Sequence, residues 1–288
     1  MTDWDRILEH AEQLLTRLEA IMPTPPAQTD WSALAYRWRR DPRGGHLDPI
    51  ADPHRIRVAD LQALPHQIAA LDRNTRQFLA GLPANNALLW GARGTGKSSL
   101  VKAMFNQYAN QGLRLVEVDK TDLIDLPTVV ARLQGRCERF VLFCDDLSFE
   151  ADDPSFKALK AVLDGSVSHP PDNVLIYATS NRRHLLPEFM SENQDARVVD
   201  GELHHGEAVE EKISLSERFG LWLSFHPFRQ DTYLVIVEYW LTQLGVPAPL
   251  DEKTCRRALE FALLRGSRSG RVAWQFARDE AGSRALGS

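Results

Sequence analysis

Cysteine is scarce. The 288 residues hold three, Cys137, Cys144 and Cys255, an odd number spaced too widely for a CxxC pair, which argues against a disulfide framework or a zinc site. Cys144 sits inside the apolar run FVLFC and reads as a small core residue. Long apolar runs are missing as well: nothing approaches the roughly 18 residues that a membrane-spanning helix needs, so no membrane association is expected. The opening MTDWDRILEH is acidic and amphipathic, without an apolar signal core or an Arg/Ser-rich transit pattern, and a cytoplasmic protein is expected. There is no excess of positive charge either. The net charge is −5, so no global field draws nucleic acid, and any such contact would rest on local patches. Internal repeats and low-complexity segments are also lacking.

What is present is ordinary for a globular chain: 43% hydrophobic and 25% charged residues. The length suits one large domain with an appendage, or two modest ones. Residues 2–22 carry apolar positions at helical spacing (Trp4, Ile7, Leu8, Ala11, Leu14, Leu15, Leu18) and stop before Pro23. PTPPAQTD breaks the chain, and Asp30 is placed to cap a second short helix over Trp31–Arg40. DPRGGHLDPIADPHR follows as a Pro/Gly-rich connector. Residues 1–57 are thus expected to form an N-terminal helical extension with a linker.

From Val58 the pattern changes. Apolar strands are expected at 86–90, 113–118, 140–144, 173–179 and 221–225, with helices near 97–110, 125–135, 154–164 and 207–219. This alternation indicates an α/β fold with a five-stranded parallel sheet covered by helices on both faces. It would occupy residues 58–227. Residues 229–245, 251–265 and 270–281 read as three further helices, a small all-helical unit within 228–288.

GARGTGKS, residues 91–98, fits GxxxxGK[ST] and lies between an apolar strand and a helix, the context the motif requires. Glycines let successive backbone N–H groups turn toward a phosphate chain, and the helix that follows presents its positive end. The stretch Gly91, Ala92, Arg93, Gly94, Thr95, Gly96, Lys97, Ser98 and Ser99 is expected to cradle the phosphates of ATP. Lys97 would reach the β- and γ-phosphates, and Ser98 would be a Mg²⁺ ligand. FVLFCDDLSFE places Asp145 and Asp146 at the end of an apolar strand. Asp145 would hold the Mg²⁺ opposite Ser98, directly or through water. Asp146 would polarise the attacking water. Most hydrolases of this broad type have glutamate there, and aspartate is shorter by about 1.5 Å. Since a 1 Å misplacement costs about a hundredfold in rate, slow turnover, or assistance from Glu150, is expected.

These features together resemble the AAA+ ATPases over roughly residues 58–282. VADLQALPHQIAALDRNTRQFLAG looks like that superfamily's first segment, with alanine at about position 63 where glycine is usual. NVLIYATSN looks like the sensor-1 strand, which implies that Asn181 orients the water. SLSERFGLWLSFHPF resembles the arginine-finger segment and assigns that role to Arg218, acting on a neighbouring subunit's nucleotide. GSRSGRVAWQF resembles the sensor-2 stretch; Arg271 matches best and Arg268 is the rival. In running sequence the closest resemblance is to a group of bacterial AAA+ ATPases filed as a domain of unknown function. The resemblance implies an ATPase with bound ATP and Mg²⁺, assembled as a homo-oligomeric ring or arc with a hexamer favoured. It would remodel an unknown protein partner or other macromolecule.

DKTDLIDLPTVVARLQG has no aromatic residue where threading unfoldases carry a pore loop, which argues against peptide threading of that kind. Phe149 and Phe156 are the nearest candidates for exposed aromatics. LAYRWRRDPRGG interleaves Tyr36 and Trp38 with Arg37, Arg39, Arg40 and Arg43, a mixture able to stack on bases and hold phosphates. Yet Trp31, Leu34, Ala35 and Trp38 also follow the spacing of an ordinary packed helix. The polar stretch 190–212 reads as a mobile surface insertion, and the adjacent His204 and His205 have no evident third metal ligand. Two further readings stand beside the remodelling ATPase. One is an ATP-dependent switch or helicase-loader-like module, favoured by Asp146 in place of glutamate. The other is a small-molecule P-loop kinase, against which the helical C-terminal unit with Arg271 argues.

Overall fold

The computed structural model describes residues 4, 29–41, 44–149, 153–164, 171–183, 185, 197–199, 202–204 and 215–287. The helix expected over 2–22 lies outside them, Trp4 excepted, as does most of the helix expected over 207–219.

The five expected parallel strands are all present: β3 (Ala87–Gly91), β4 (Leu113–Glu117), β5 (Arg139–Cys144), β6 (Val174–Ser180) and β9 (Leu221–Phe225). Two more, β1 (Ala35–Arg39) and β2 (His46–Pro49), extend the sheet to seven in the order β2-β1-β4-β5-β6-β3-β9. All neighbours run parallel except β2 against β1. Successive residues of a strand point to opposite faces, and the two apolar cores follow that alternation. In β5, Val141 and Phe143 enter one core while Phe140, Leu142 and Cys144 enter the other. Helices α1 (Pro65–Leu79) and α2 (Lys97–Tyr108) cover the first face; α3 (Leu126–Leu133) and α4 (Pro154–Asp164) cover the second. Continuous apolar strands are the sequence signature of a sheet buried on both faces.

The helix expected over Trp31–Arg40 is corrected: residues 35–39 form β1, which pairs with β4 in the register Arg37↔Glu117. Tyr36 and Trp38 are fully buried in the second core, and Trp38 Nε1 donates to Asp125 Oδ2 at 3.2 Å. Arg37, on the opposite side of the strand, meets Glu117 at 2.6 Å. A helical spacing and a strand alternation coexist in these ten residues, and the open edge of β4 selects the strand. The connector likewise contributes β2. The aromatic rings are therefore withdrawn from any base-stacking role. Phe149 and Phe156 are buried too, edge to face at 5.7 Å between ring centres. Within the polar insertion, β7 (Arg197–Val199) and β8 (Glu202–His204) pair antiparallel. These described residues form paired strands and not the loop expected, and the Asp-Gly that separates them in sequence is a dipeptide that favours hairpin turns.

The C-terminal helices are α5 (Gln230–Gln243), α6 (Glu252–Leu264) and α7 (Gly270–Leu286). Asp251 accepts from Thr254 N at 2.6 Å and Ser269 from Val272 N at 3.3 Å, capping α6 and α7. Tyr233, Ile236 and Val237 of α5 and Phe276 of α7 join the first core. The unit thus shares the apolar core that α1 and α2 cover, at the edge of the crevice described next.

Candidate nucleotide-binding site

In an open parallel sheet the crevice forms at the C-terminal ends of the strands. Here β6 lies between β3 and β5, so the loop after β3 and the acidic end of β5 face each other across one strand. The loop begins at Gly91 (φ +132°). A Cβ there would lie 2.0 Å from Phe225 O of β9, so only glycine lets the two strands run this close. Thr95 Oγ1 donates to Ala92 O at 2.7 Å and closes the loop. Gly94 (φ +73°) sits at the apex, where a side chain would press on Ser269 and Arg271 at the start of α7. Gly96 (φ +103°) then starts α2, whose first N–H groups point into the crevice with the positive end of the helix.

Lys97 is 6% exposed. Its Nζ donates to Gly91 O at 2.8 Å, Ala92 O at 2.7 Å and Asn181 Oδ1 at 3.1 Å. Burial holds its pKa below the usual lysine range, partly offset by the Asp146 and Asp145 carboxylates. Ser98 Oγ donates to Asp145 Oδ1 at 2.6 Å, and Thr179 Oγ1 donates to the same oxygen at 2.5 Å. Thr179 Oγ1 also accepts from Asp146 N at 2.9 Å, so one hydroxyl fixes both acidic residues. Asn181 Nδ2 donates to Asp146 Oδ1, and Asn181 thus links Lys97 to Asp146. Thr179, 1% exposed, was not anticipated from sequence. Its only signal is a hydroxyl residue within the apolar strand VLIYATS.

The crevice encloses about 840 Å³. Arg93 through Ser99, Asp145, Asp146, Thr179 and Asn181 form its polar end; Leu61, Leu64, Phe228, Ile236, Trp240 and Trp274 form an apolar wall. Trp240 and Trp274 pack against each other with 4.6 Å between ring centres, their planes tilted by 59°. Tyr239 OH donates to Asp60 Oδ1 at 2.6 Å, tying α5 to the segment before α1. Gly91 and Ala92 lie behind the lining, and their carbonyls receive Lys97. Arg271 lines the crevice, and its N–H donates to Gly94 O at 3.3 Å. Arg268 does not line it; its carbonyl accepts from Phe228 N. Arg218 lies outside this crevice and pairs through Nε with Asp164 Oδ1. Glu150 lies outside the described residues.

Ala63 carries φ +63°, a left-handed conformation that costs a non-glycine residue about 1–2 kcal/mol. The extra backbone freedom of glycine in the unfolded chain costs about 0.4–1 kcal/mol. Ala63→Gly is therefore expected to raise the unfolding free energy by roughly 0.5 kcal/mol, the difference of those two effects. Urea denaturation checks this, and a loss of stability would show that the backbone is unstrained there.

The residues fit a Mg²⁺-bound nucleoside triphosphate. Two hard oxygen donors, Ser98 Oγ and Asp145 Oδ1, meet at 2.6 Å, the donor type that Mg²⁺ selects when phosphates and water complete its shell. No cluster of three or more His, Cys, Asp or Glu residues suited to a metal exists among the described residues.

A family model described as "Protein of unknown function (DUF815)" matches residues 31–284. No curated protein matches the chain. Among solved structures, one single-residue variant of Thermotoga maritima RuvB superposes with a TM-score of 0.51 at 14% identity, over 77% of this chain and 63% of that one. A second variant of the same protein gives 0.52 at 12% identity, over 77% and 63%. The Aeropyrum pernix Orc1 protein, solved in complex with DNA, gives 0.53 at 15%, over 78% and 61%. The chain spans about three fifths of each of these proteins. At such identities the likeness is one of fold, that of the AAA+ P-loop ATPases. Among the described residues no helix is long and apolar enough to cross a membrane.

Proposed function

The chain belongs to the DUF815 family, and from that premise and its AAA+ fold we propose that it binds ATP with Mg²⁺ in the crevice and hydrolyses it at a site shared between subunits, to remodel an unidentified macromolecular partner. Residues 58–227 would hold the nucleotide and 228–288 would act as its lid. The observation that carries this reading is the meeting of Ser98 and Asp145 at 2.6 Å beside the Lys97 loop.

The loop N–H groups from Gly94 to Ser99 orient the phosphate chain, with Lys97 Nζ exchanging its carbonyl partners for phosphate oxygens. Ser98 and Asp145 hold Mg²⁺, which when bound neutralises charge building on the phosphates. Asp146 accepts the proton of the attacking water, and Asn181, already bonded to Asp146, fixes where that water sits. Trp240 and Trp274 close over the base. Arg271, set in the first turn of α7 against Gly94, reports the phosphate to the lid. Arg218 of one subunit completes the site of the next in a homo-oligomer, a ring or arc. Equilibrium binding of a fluorescent ATP analogue with and without EDTA, together with phosphate release over a range of protein concentrations, tests this reading. Binding independent of Mg²⁺, or a rate per chain equal at all concentrations, would count against it.

A second reading, a slow ATP-dependent switch, is favoured by Asp146 itself. Its φ is +52°, a conformation aspartate tolerates better than longer side chains. Its carboxylate is therefore short as well as held by Asn181. Asp146→Glu extends the carboxylate by about 1.5 Å and is expected to raise kcat by roughly tenfold or more, given the distance sensitivity of positioned groups. A fall in kcat at unchanged melting temperature would mean that Asp146 is already the fitted base.

A further inference from the structure

Helix α4 ends on Asp164, and Asp164 Oδ1 accepts from Arg218 Nε across 54 residues of sequence. Both partners stand on rigid supports. On the arginine side, Leu215 and Phe219 are buried, Arg218 N donates to Leu215 O at 3.3 Å, and Phe219 N donates to Ser216 O at 3.1 Å. On the aspartate side, Phe156 and Leu159 of α4 enter the same core as Leu215 and Phe219. The other end of α4 is fastened to the acidic loop: Phe156 packs on Phe149, whose N–H donates to Leu185 O at 2.9 Å. Asp145 and Asp146 open that loop.

Chemistry gives the pair a direction. A carboxylate on the last residue of a helix faces the negative end of the helix dipole and is unfavourable there without a cation. The guanidinium is a rigid planar fork on a flexible stem. The buried neighbours of Arg218 set where its stem starts, and a bond at Nε sets the plane of its fork. Arg218 has 24% of its side chain accessible and lies away from the crevice of its own chain.

We propose that Asp164 is the positioning residue for Arg218. It grips the guanidinium by its Nε edge in the orientation presented to the neighbouring subunit's nucleotide, and through α4 it joins that orientation to the acidic loop of its own subunit. This rests on the intersubunit reading of Arg218 given above.

The test uses full-length chains with single and paired substitutions. Asp164→Ala is expected to lower kcat of the assembled protein ten- to a hundredfold, the penalty of about 1 Å of misplacement, with KM for ATP and oligomeric mass unchanged. Asp164→Glu, which keeps the carboxylate, is expected to recover part of the rate. If alanine impairs folding, the near-isosteric Asp164→Asn serves in its place. A rise in kcat would overturn the proposal, because it would make Asp164 a restraint on Arg218.

A mixing experiment fixes the direction. Lys97→Ala chains can donate Arg218 but lack the phosphate lysine; Arg218→Ala chains retain the lysine but donate no arginine. A mixture of the two is expected to hydrolyse ATP where neither does alone. Adding Asp164→Ala to the Lys97→Ala chain should cut the rescued rate about ten- to a hundredfold, whereas adding it to the Arg218→Ala chain should leave it intact. Loss in the second arrangement alone, or in both, would overturn the positioning role while leaving the shared site standing. A parental mixture with no rescue would overturn the shared site, and the proposal with it.

Discussion

Replacing Lys97 by alanine is expected to remove ATP binding and hydrolysis together while leaving the fold in place. Lys97 Nζ makes three hydrogen bonds, to Gly91 O, Ala92 O and Asn181 Oδ1, and in the proposed complex it turns to phosphate oxygens. Hydrogen bonds to charged groups contribute about 1.5–3 kcal/mol each. Two of them correspond to roughly 10²–10⁴ in Kd at 1.4 kcal/mol per tenfold. Ligand-induced stabilisation should vanish accordingly. At 100 times Kd it amounts to about 2.7 kcal/mol in the parent protein, readily seen as a shift of the melting temperature.

Without nucleotide the expected change in stability is small, and its sign depends on pH. Burial depresses the Lys97 pKa in the folded state, so the unfolded chain holds this proton more firmly. Protonation of Lys97 therefore opposes folding below the depressed pKa, and that opposition fades as pH rises toward the ordinary lysine value. The alanine variant should lack this one component of the pH dependence. Melting curves with and without ATP, together with titration of the fluorescent analogue, check the prediction. Binding within tenfold of the parent would show that the loop glycines and helix N-terminus carry the phosphate alone.

The loop was legible because its shape is set by backbone at fixed spacing: Gly91 and Gly96 take positive φ and GxxxxGKS encodes both, whereas Gly94, also at positive φ, stands at a variable position of the motif. Asp145 was legible for a related reason, as a carboxylate at the end of an unbroken apolar strand. Which of Arg271 and Arg268 lines the crevice was not legible in composition. Ser269 caps the helix and sets Arg271 in the first turn of α7 against Gly94, while Arg268 lies outside the helix.

Residues that meet only in the folded chain escaped altogether. Trp240 and Trp274 fall in two separate expected helices, yet pack against each other in the crevice wall. Tyr239 and Asp60 are 179 residues apart and bond at 2.6 Å. Asp164 read as the unremarked end of a helix. β1 escaped for a different reason: its residues satisfied two periodicities, and the edge of β4 decided between them through pairings no local window contains.

Arg218→Ala is expected to lower kcat by about a thousandfold or more, in line with arginines supplied to a phosphoryl-transfer site from outside, while ATP binding stays near that of the parent protein. The separation of the two effects follows from position. Arg218 is absent from the lining of its own crevice, which holds Lys97, Ser98, Asp145, Asp146, Thr179 and Asn181, so its removal leaves every local contact to nucleotide untouched. Packing is spared as well, since Leu215 and Phe219 on either side carry the burial. The partner Asp164, at the dipole-negative end of α4, loses its cation. A modest drop in melting temperature should therefore accompany the loss of rate.

Two measurements carry the decision. The rate per chain of the parent should climb with protein concentration and then level off, while that of Arg218→Ala stays low throughout. Added to the parent in rising proportion, the variant should depress the rate, because each Arg218→Ala chain deprives a neighbour of its arginine while its own site still binds ATP. If a dilute monomer turns over ATP at the full rate and Arg218→Ala matches it, Arg218 is a structural partner of Asp164 and the chain hydrolyses ATP by itself.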